Sequence, residues 1–270
     1  YQEQGVTLHA GVRIGWIDRI SKTVHAPGGV AAQYDKLVIA TGSSAFVPPL
    51  EGLIGDAGTY KDGAFVFRTL DDCTNITTYA ARARKAAVIG GGLLGLEAAR
   101  GLLNLGLEVH VVHLMPHLME LQLDPAAGTM LERTMEQLGV QVHLEKMTTA
   151  VLGEDRVSGI AFKDGTTLDC DLLVIAAGIQ PNVALARQAG LHVGRGIVVN
   201  DDLSCRGDPD VYAIGECAQH RGKVYGLVAP LWEQARVLAD RLTGRDPHAR
   251  YEGSKVATKL KVMGCLLYTS

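Results

Sequence analysis

The sequence predicts an α/β protein built on parallel sheets, and three observations carry that expectation. Short apolar runs rich in β-branched residues end in glycine, as at Val38-Ile39-Ala40-Thr41-Gly42 and Val174-Ile175-Ala176-Ala177-Gly178. Strand-like and helix-like patterns alternate at short range from Ala86 onward. A glycine-rich turn, Gly90-Gly91-Gly92-Leu93-Leu94-Gly95, joins one such strand to one such helix. Alternation of this kind implies parallel strands connected by crossover helices.

Three segments follow along the chain. The first runs from Tyr1 to about Ala80, with β-like stretches at Gly11–Asp18 and Thr23–His25 and a buried strand at Leu37–Ala40. Pro48, Pro49, Gly52, Gly55 and Gly58 mark the loop after it. The second runs from about Ala81 to Leu203. It reads as strand Ala86–Ile89, helix Leu93–Leu105, strand Val109–His113, a helix from Pro125 to Leu138 and strand Gln141–Leu144. Asp124 is the candidate N-cap of the second helix, with Pro125 in its first turn. The pattern then becomes a meander at Thr149–Leu152, Val157–Phe162 and Thr166–Asp169, before the buried strand Leu172–Ala176. The third segment begins near Ser204, with a strand at Val211–Ile214 and helical apolar spacing from Pro230 to Leu242.

Composition narrows the functional classes. The chain has 270 residues, 47% hydrophobic and 20% charged, with a formal net charge of −3. That balance gives no footing for a nucleic acid or an anionic membrane. The apolar runs are far too short to span a bilayer, and no secretory signal is visible. The five cysteines include no Cys-x-x-Cys pair. A disulfide framework, a redox-active dithiol and a zinc site are therefore not expected, and reduced thiols in a cytoplasmic protein are. The chain starts at Tyr1 without Met, and Cys265–Ser270 follow directly on a coherent segment. Those last residues match one reading frame of a sequencing-library transposon end and are expected to be an artefact.

The glycine turn carries the chemistry. Gly90 permits a tight turn, Gly92 lets the backbone approach a pyrophosphate, and Gly95 lets the helix pack closely on the strand. The N-terminus of the helix then faces the anion. A carboxylate about 20 residues on usually binds the ribose hydroxyls of NAD. Here the second strand ends in His113, and no arginine follows in the loop. Neutral histidine could bond a 2′-hydroxyl and protonated histidine a 2′-phosphate, so NADH and NADPH both stay open. Beyond the third strand-like run, Gly215-Glu216-Cys217 places a carboxylate where it can accept hydrogen bonds from a polyol. His110, His113, His117, His143 and His220 read as surface or packing histidines rather than ligands, and Met115, Met119, Met130 and Met135 as packing residues.

The order of these motifs (a Thr-Gly strand ending, GxGxxG-x-Glu, a second Gly-ended strand, then Gly-Glu) resembles the two-dinucleotide flavoproteins of the pyridine nucleotide-disulfide oxidoreductase superfamily. Within it the chain resembles the flavin module of assimilatory-type nitrite reductase [NAD(P)H] large subunits, enzymes of nitrate assimilation. The strings that carry the likeness are Val66–Asp72, Gly90–Ala99, His113–Glu120 with Gln122–Asp124, Gly215–His220, Tyr225–Pro230 and Thr258–Val262. The resemblance implies two Rossmann-like dinucleotide-binding domains, each a parallel sheet with a β-meander, the NAD(P)H domain inserted in the FAD domain. Residues 1–80 would be the first part of the FAD domain, 81–203 the NAD(P)H domain, 204–250 the second part of the FAD domain, and 251–264 the start of a following region. The first GxGxxG of the family, which should precede Thr41-Gly42, is absent. The chain is thus expected to be truncated at its N-terminus, with its FAD held weakly.

The resemblance also implies roles. Thr41 and Gly42 would line the FAD, and Ile14 would sit by its adenine through backbone contacts. Arg68 would reach the flavin, Gly215 and Glu216 its ribityl chain, and Leu227 and Val228 the isoalloxazine edge. Gly90, Gly91, Gly92, Leu93, Leu94 and Gly95 would hold the NAD(P)H pyrophosphate. Glu97 would sit near the nicotinamide, and Gly178 would border the same cleft. No residue is assigned acid–base work, because flavin chemistry asks the protein for placement and electrostatics. The implied activity is hydride transfer from NAD(P)H to FAD and onward delivery of electrons to iron–sulfur and siroheme centres in the remainder of a larger protein, for nitrite reduction to ammonia. Two alternatives stand beside it: a stand-alone NAD(P)H:ferredoxin or rubredoxin reductase that feeds a small electron-transfer protein, and an NAD-responsive flavoprotein with a signalling or scaffold role.

Overall fold

The computed structural model describes residue 3, residues 5–256, and the backbone of 259–260 and 267–268. Residues 257, 258 and 261–264 of the expected following region, and residues 265, 266, 269 and 270 of the tail, lie outside the described residues. The chain forms two compact units, one from residues 1–43 and 181–256, the other chiefly from residues 44–180.

The 44–180 unit is built on a five-stranded parallel sheet in the order Ala64–Val66, Leu172–Ile175, Lys85–Ile89, Glu108–Val112, Val140–His143. Strand order therefore runs outward from Lys85–Ile89 to Val140–His143, and the chain then returns to the other side of Lys85–Ile89 with Leu172–Ile175, so the order reverses at Lys85–Ile89. The two central strands are apolar along almost their whole length because both sheet faces are covered. Alternate residues feed opposite cores. Ala86, Val88, Leu172 and Val174 join a cluster with Leu96, Leu102, Leu131 and Met135 from the helices. Ala87, Ile89, Leu173 and Ile175 join a second cluster with Val151, Ile160 and Phe162 from the antiparallel meander.

Local signals account for the helices. The helix Pro125–Gln137 is capped by Asp124, whose carboxylate accepts from the Ala127 N–H at 2.8 Å. The helix Leu93–Asn104 starts at Gly92 and has no side-chain cap. A helix at Leu70–Ala80, not foreseen from the sequence, is opened by a capping box. Thr69 Oγ1 accepts from the Asp72 N–H at 3.1 Å, and the Asp72 carboxylate accepts from the Thr69 N–H at 2.7 Å.

The other unit holds a three-stranded antiparallel sheet, Trp16–Asp18, Thr23–His25 and Ala31–Gln33. It also holds a five-stranded mixed sheet in the order Ala218–His220, Ile197–Val199, Ser204–Cys205, Asp208–Ala213, Leu37–Ile39. Its core gathers Ile39, Ile197, Val211, Ala213, Cys217 and Leu238. The strand expected over Gly11–Asp18 is confined to Trp16–Asp18, and the helix expected from Pro230 begins at Val228.

The sequence segments and the compact units divide the chain differently. The boundary near 80 moves to 43/44, because Ala64–Val66 pairs with Leu172–Ile175 inside the parallel sheet. The boundary near 203 moves to 180/181, because Ile197–Val199 pairs with Ala218–His220 and Ser204–Cys205.

Candidate functional site

The glycine turn leaves the C-terminal end of Lys85–Ile89, the strand at which sheet order reverses. Ligands of open α/β sheets bind at that switch point. Gly90 has φ +122°, a conformation closed to ordinary side chains, and a Cβ on it would lie 2.3 Å from the Ala176 carbonyl oxygen. Gly95 is packed against the same turn: its Cβ would lie 1.9 Å from the Gly90 carbonyl oxygen. Gly92 is different. It has ordinary backbone angles (φ −86°), and a Cβ there would meet nothing within 4 Å. Gly90 and Gly95 are thus required by the protein's own packing, while Gly92 faces open space.

The helix begins its i→i−4 ladder with the Leu96 N–H donating to the Gly92 carbonyl. The amides of Leu93, Leu94 and Gly95 precede that ladder and point toward the open side. Glu97, one turn into the helix, is half-buried, and burial raises its carboxyl above the ordinary value. Gly178 lies beyond Leu172–Ile175 with φ +113°, its would-be Cβ in open space. Arg68 is exposed, just before the capping box, with its N–H donating to Asp72 at 3.0 Å.

His113 follows the strand Glu108–Val112. Its ring is buried, its Nδ1 accepts from the Gly91 N–H at 3.1 Å, and its Nε2 lies 3.0 Å from Glu120 Oε2. Both ring nitrogens have partners within the protein. Glu120 had no role in the sequence reading, although it closes the His113–Glu120 string.

In the other unit, Thr41 and Gly42 follow the strand Leu37–Ile39 and are held by Asn182. Thr41 Oγ1 donates to the Asn182 carbonyl at 2.7 Å, Asn182 Nδ2 donates to the Thr41 carbonyl at 2.9 Å, and the Asn182 N–H donates to the Gly42 carbonyl at 2.9 Å. Gly42 has φ +64° and open space where a Cβ would be. Gly215, with φ +83°, likewise has nothing near its missing side chain and starts a single 3-10 turn, Gly215–Cys217. Glu216 on that turn is buried and accepts from Ser43 Oγ at 2.6 Å. Ile14 is half-buried outside any strand. Leu227 caps the helix Val228–Leu242, and Val228 is exposed at its first position.

Gln234 escaped the sequence reading. It is fully buried, its Oε1 accepts from the Gly215 N–H at 2.8 Å, and its Nε2 has no partner among the described residues. The signal was a polar residue on the buried stripe of the helix, between Pro230 and Leu238.

Cradles without side chains at Gly42, Gly92, Gly178 and Gly215, with a buried carboxylate at Glu216, fit extended dinucleotides. Comparison with known proteins identifies the family. The sequence profile of the family described as "Pyridine nucleotide-disulphide oxidoreductase" matches residues 1–236. A "Nitrite reductase [NAD(P)H]" of Bacillus subtilis (strain 168) is 46% identical over 270 residues, which cover 100% of this chain and 32% of that protein. An "Assimilatory nitrate reductase electron transfer subunit" of the same organism is 44% identical over 264 residues, 98% of this chain and 33% of that protein. The chain therefore spans about a third of the length of these curated relatives. Among solved structures, a ferredoxin reductase from Rhodopseudomonas palustris superposes with a TM-score of 0.84 at 32% identity, covering 94% of this chain and 62% of that one.

Proposed function

The chain belongs to the pyridine nucleotide-disulphide oxidoreductase family, whose members are FAD- and NAD(P)H-dependent oxidoreductases, and on that premise we propose that it passes hydride from NAD(P)H to FAD and electrons onward. The 44–180 unit takes the NAD(P)H, and the unit of residues 1–43 and 181–256 takes the FAD. The observation that carries this reading is the contrast within the glycine turn: Gly90 and Gly95 are closed by backbone, and Gly92 is open.

FAD, when bound, accepts a hydride and releases its electrons singly. The chain's own residues do the placing. The amides at the start of Leu93–Asn104 bind the pyrophosphate of the donor, and Glu97 and Gly178 border its nicotinamide. Thr41, Gly42, Gly215 and Glu216 line the flavin cofactor, with Ile14 near its adenine and Leu227 and Val228 at its ring edge. The relatives named for nitrite reduction support a flow of electrons toward nitrite, with iron–sulfur and siroheme centres as the acceptors in this proposal. The relative named for electron transfer supports the same flow of electrons to a further centre. Burial pushes the Cys170 and Cys205 thiols up to about 12, so neither is poised to act as a nucleophile. Among the described residues no helix is long and apolar enough to cross a membrane.

Gly92→Asp tests this reading. The new side chain meets no protein atom and takes ordinary backbone angles, so the fold stands while a like charge occupies the cradle. With the full chain loaded with FAD under anaerobic conditions, NADH bleaches the flavin absorption of the wild type and leaves that of the variant unchanged. Equal bleaching in both rejects the assignment.

A further inference from the structure

We infer that Glu120, held by His113, selects the dinucleotide whose adenosine ribose carries a free 2′-hydroxyl, NADH, against its 2′-phosphorylated counterpart, NADPH. The inference rests on the reading of Gly90–Gly95 as the NAD(P)H site. In such a site the ribose lies at the end of the second strand, where a carboxylate about 20 residues beyond the glycines usually reads it. That strand is Glu108–Val112, and the residue after it is His113.

The loop beyond His113 is tied to the glycine turn at two points. The Gly91 N–H donates to His113 Nδ1 at 3.1 Å, and the Gly91 carbonyl accepts from the Met119 N–H at 3.0 Å. Leu118 packs so closely that a Cβ on Gly91 would lie 2.6 Å from its Cδ2. Met119 adopts φ +52°, a left-handed conformation unusual for methionine, which the surrounding contacts must hold. Glu120 follows directly and is pinned beside the turn by its contact with His113 Nε2.

The direction of these bonds sets the tautomer. Nδ1 accepts from the Gly91 amide, so Nε2 carries the ring N–H and donates to Glu120. No Lys or Arg occurs from His113 to Leu123. Lys146 touches His113 only through its backbone, where its N–H donates to the His113 carbonyl. Its ammonium is engaged by Asp164 at 2.5 Å and by Thr166 at 3.1 Å. A 2′-phosphate arriving here would meet the Glu120 carboxylate in a loop without Lys or Arg. His113 offers it nothing in exchange, because its Nδ1 already accepts from the Gly91 N–H in the glycine turn itself. A hydroxyl carries no such conflict and can donate to the carboxylate.

Dissociation constants of NADH and NADPH, measured by fluorescence titration of the full chain, test this. The wild type should favour NADH by about tenfold or more, as expected for one uncompensated charge in a partly buried site. Glu120→Gln, which keeps an oxygen to accept from His113, should shrink the preference at least about threefold, mainly by tightening NADPH. Higher salt should narrow the gap in the wild type and not in the variant. Mere structural damage would weaken both nucleotides alike and leave their ratio unmoved. Equal affinities in the wild type, or an unchanged ratio in Glu120→Gln, overturn the inference and leave the NAD(P)H site standing. Binding of neither nucleotide to the wild type overturns both.

Discussion

Gly95 sits against Gly90 so closely that a Cβ on Gly95 would lie 1.9 Å from the Gly90 carbonyl oxygen. The obstacle is backbone, which cannot turn aside as a side chain can. Gly95→Ala should therefore push the helix Leu93–Asn104 off the turn, at a cost of about 1–3 kcal/mol typical of overpacking. A lowered denaturation midpoint, together with NADH affinity reduced by about tenfold or more as the helix amides move, is the expected result. Unchanged stability would show that the turn can relax.

Gln234 holds the Gly215 amide from within the core. Gln234→Leu removes that acceptor and leaves a polar group unpaired, at about 1–3 kcal/mol. The turn carrying Glu216 should loosen, and flavin retained per chain after gel filtration should fall. Gln234→Glu, which keeps an oxygen at the same reach, should retain more flavin than Gln234→Leu. Equal retention in both would detach Gln234 from the flavin site.

The capping box at Thr69 and Asp72 predicts a smaller, local effect. Thr69→Ala should destabilise the 44–180 unit by about 1 kcal/mol, and Thr69→Ser should restore most of it. Urea denaturation of the three proteins measures the difference.

Stability should also fall with acid through His143. Burial, with His110 and Lys146 nearby, holds its imidazole below the ordinary value of 6.5. The folded form is therefore neutral where the unfolded chain already binds a proton. Stability from this group is complete above about pH 6.5 and declines as pH falls from there toward the lowered folded value. His143→Gln should flatten the change in urea midpoint between about pH 7.5 and 5.5. An equally steep decline in the variant would assign the acid sensitivity to other groups.

Much of the fold was legible because its signals are local. The strand around Ala86–Ile89, the helix from Leu93, the Asp124 cap and the meander each follow from short-range patterns, and each appears within a residue or two of its expected place. The helix Leu70–Ala80 was missed although its capping box was present, because its apolar face is narrow: only Ile76, Tyr79 and Ala80 are buried. The compact units cut the chain at places the sequence does not mark, because strand pairing joins segments distant in sequence, as Ala64–Val66 joins Leu172–Ile175.

The sequence by itself determined that a glycine-rich turn joins strand to helix at Gly90–Gly95, because glycine spacing encodes where a backbone must bend and where it must come close. It also determined the family, through strings that run nearly the length of the chain. Only the tertiary structure decided which glycines serve packing and which face open space, since that depends on what lies opposite each missing Cβ. It alone turned His113 from a candidate ligand into a buried link between Gly91 and Glu120, because a histidine's role is set by the partners of its two nitrogens.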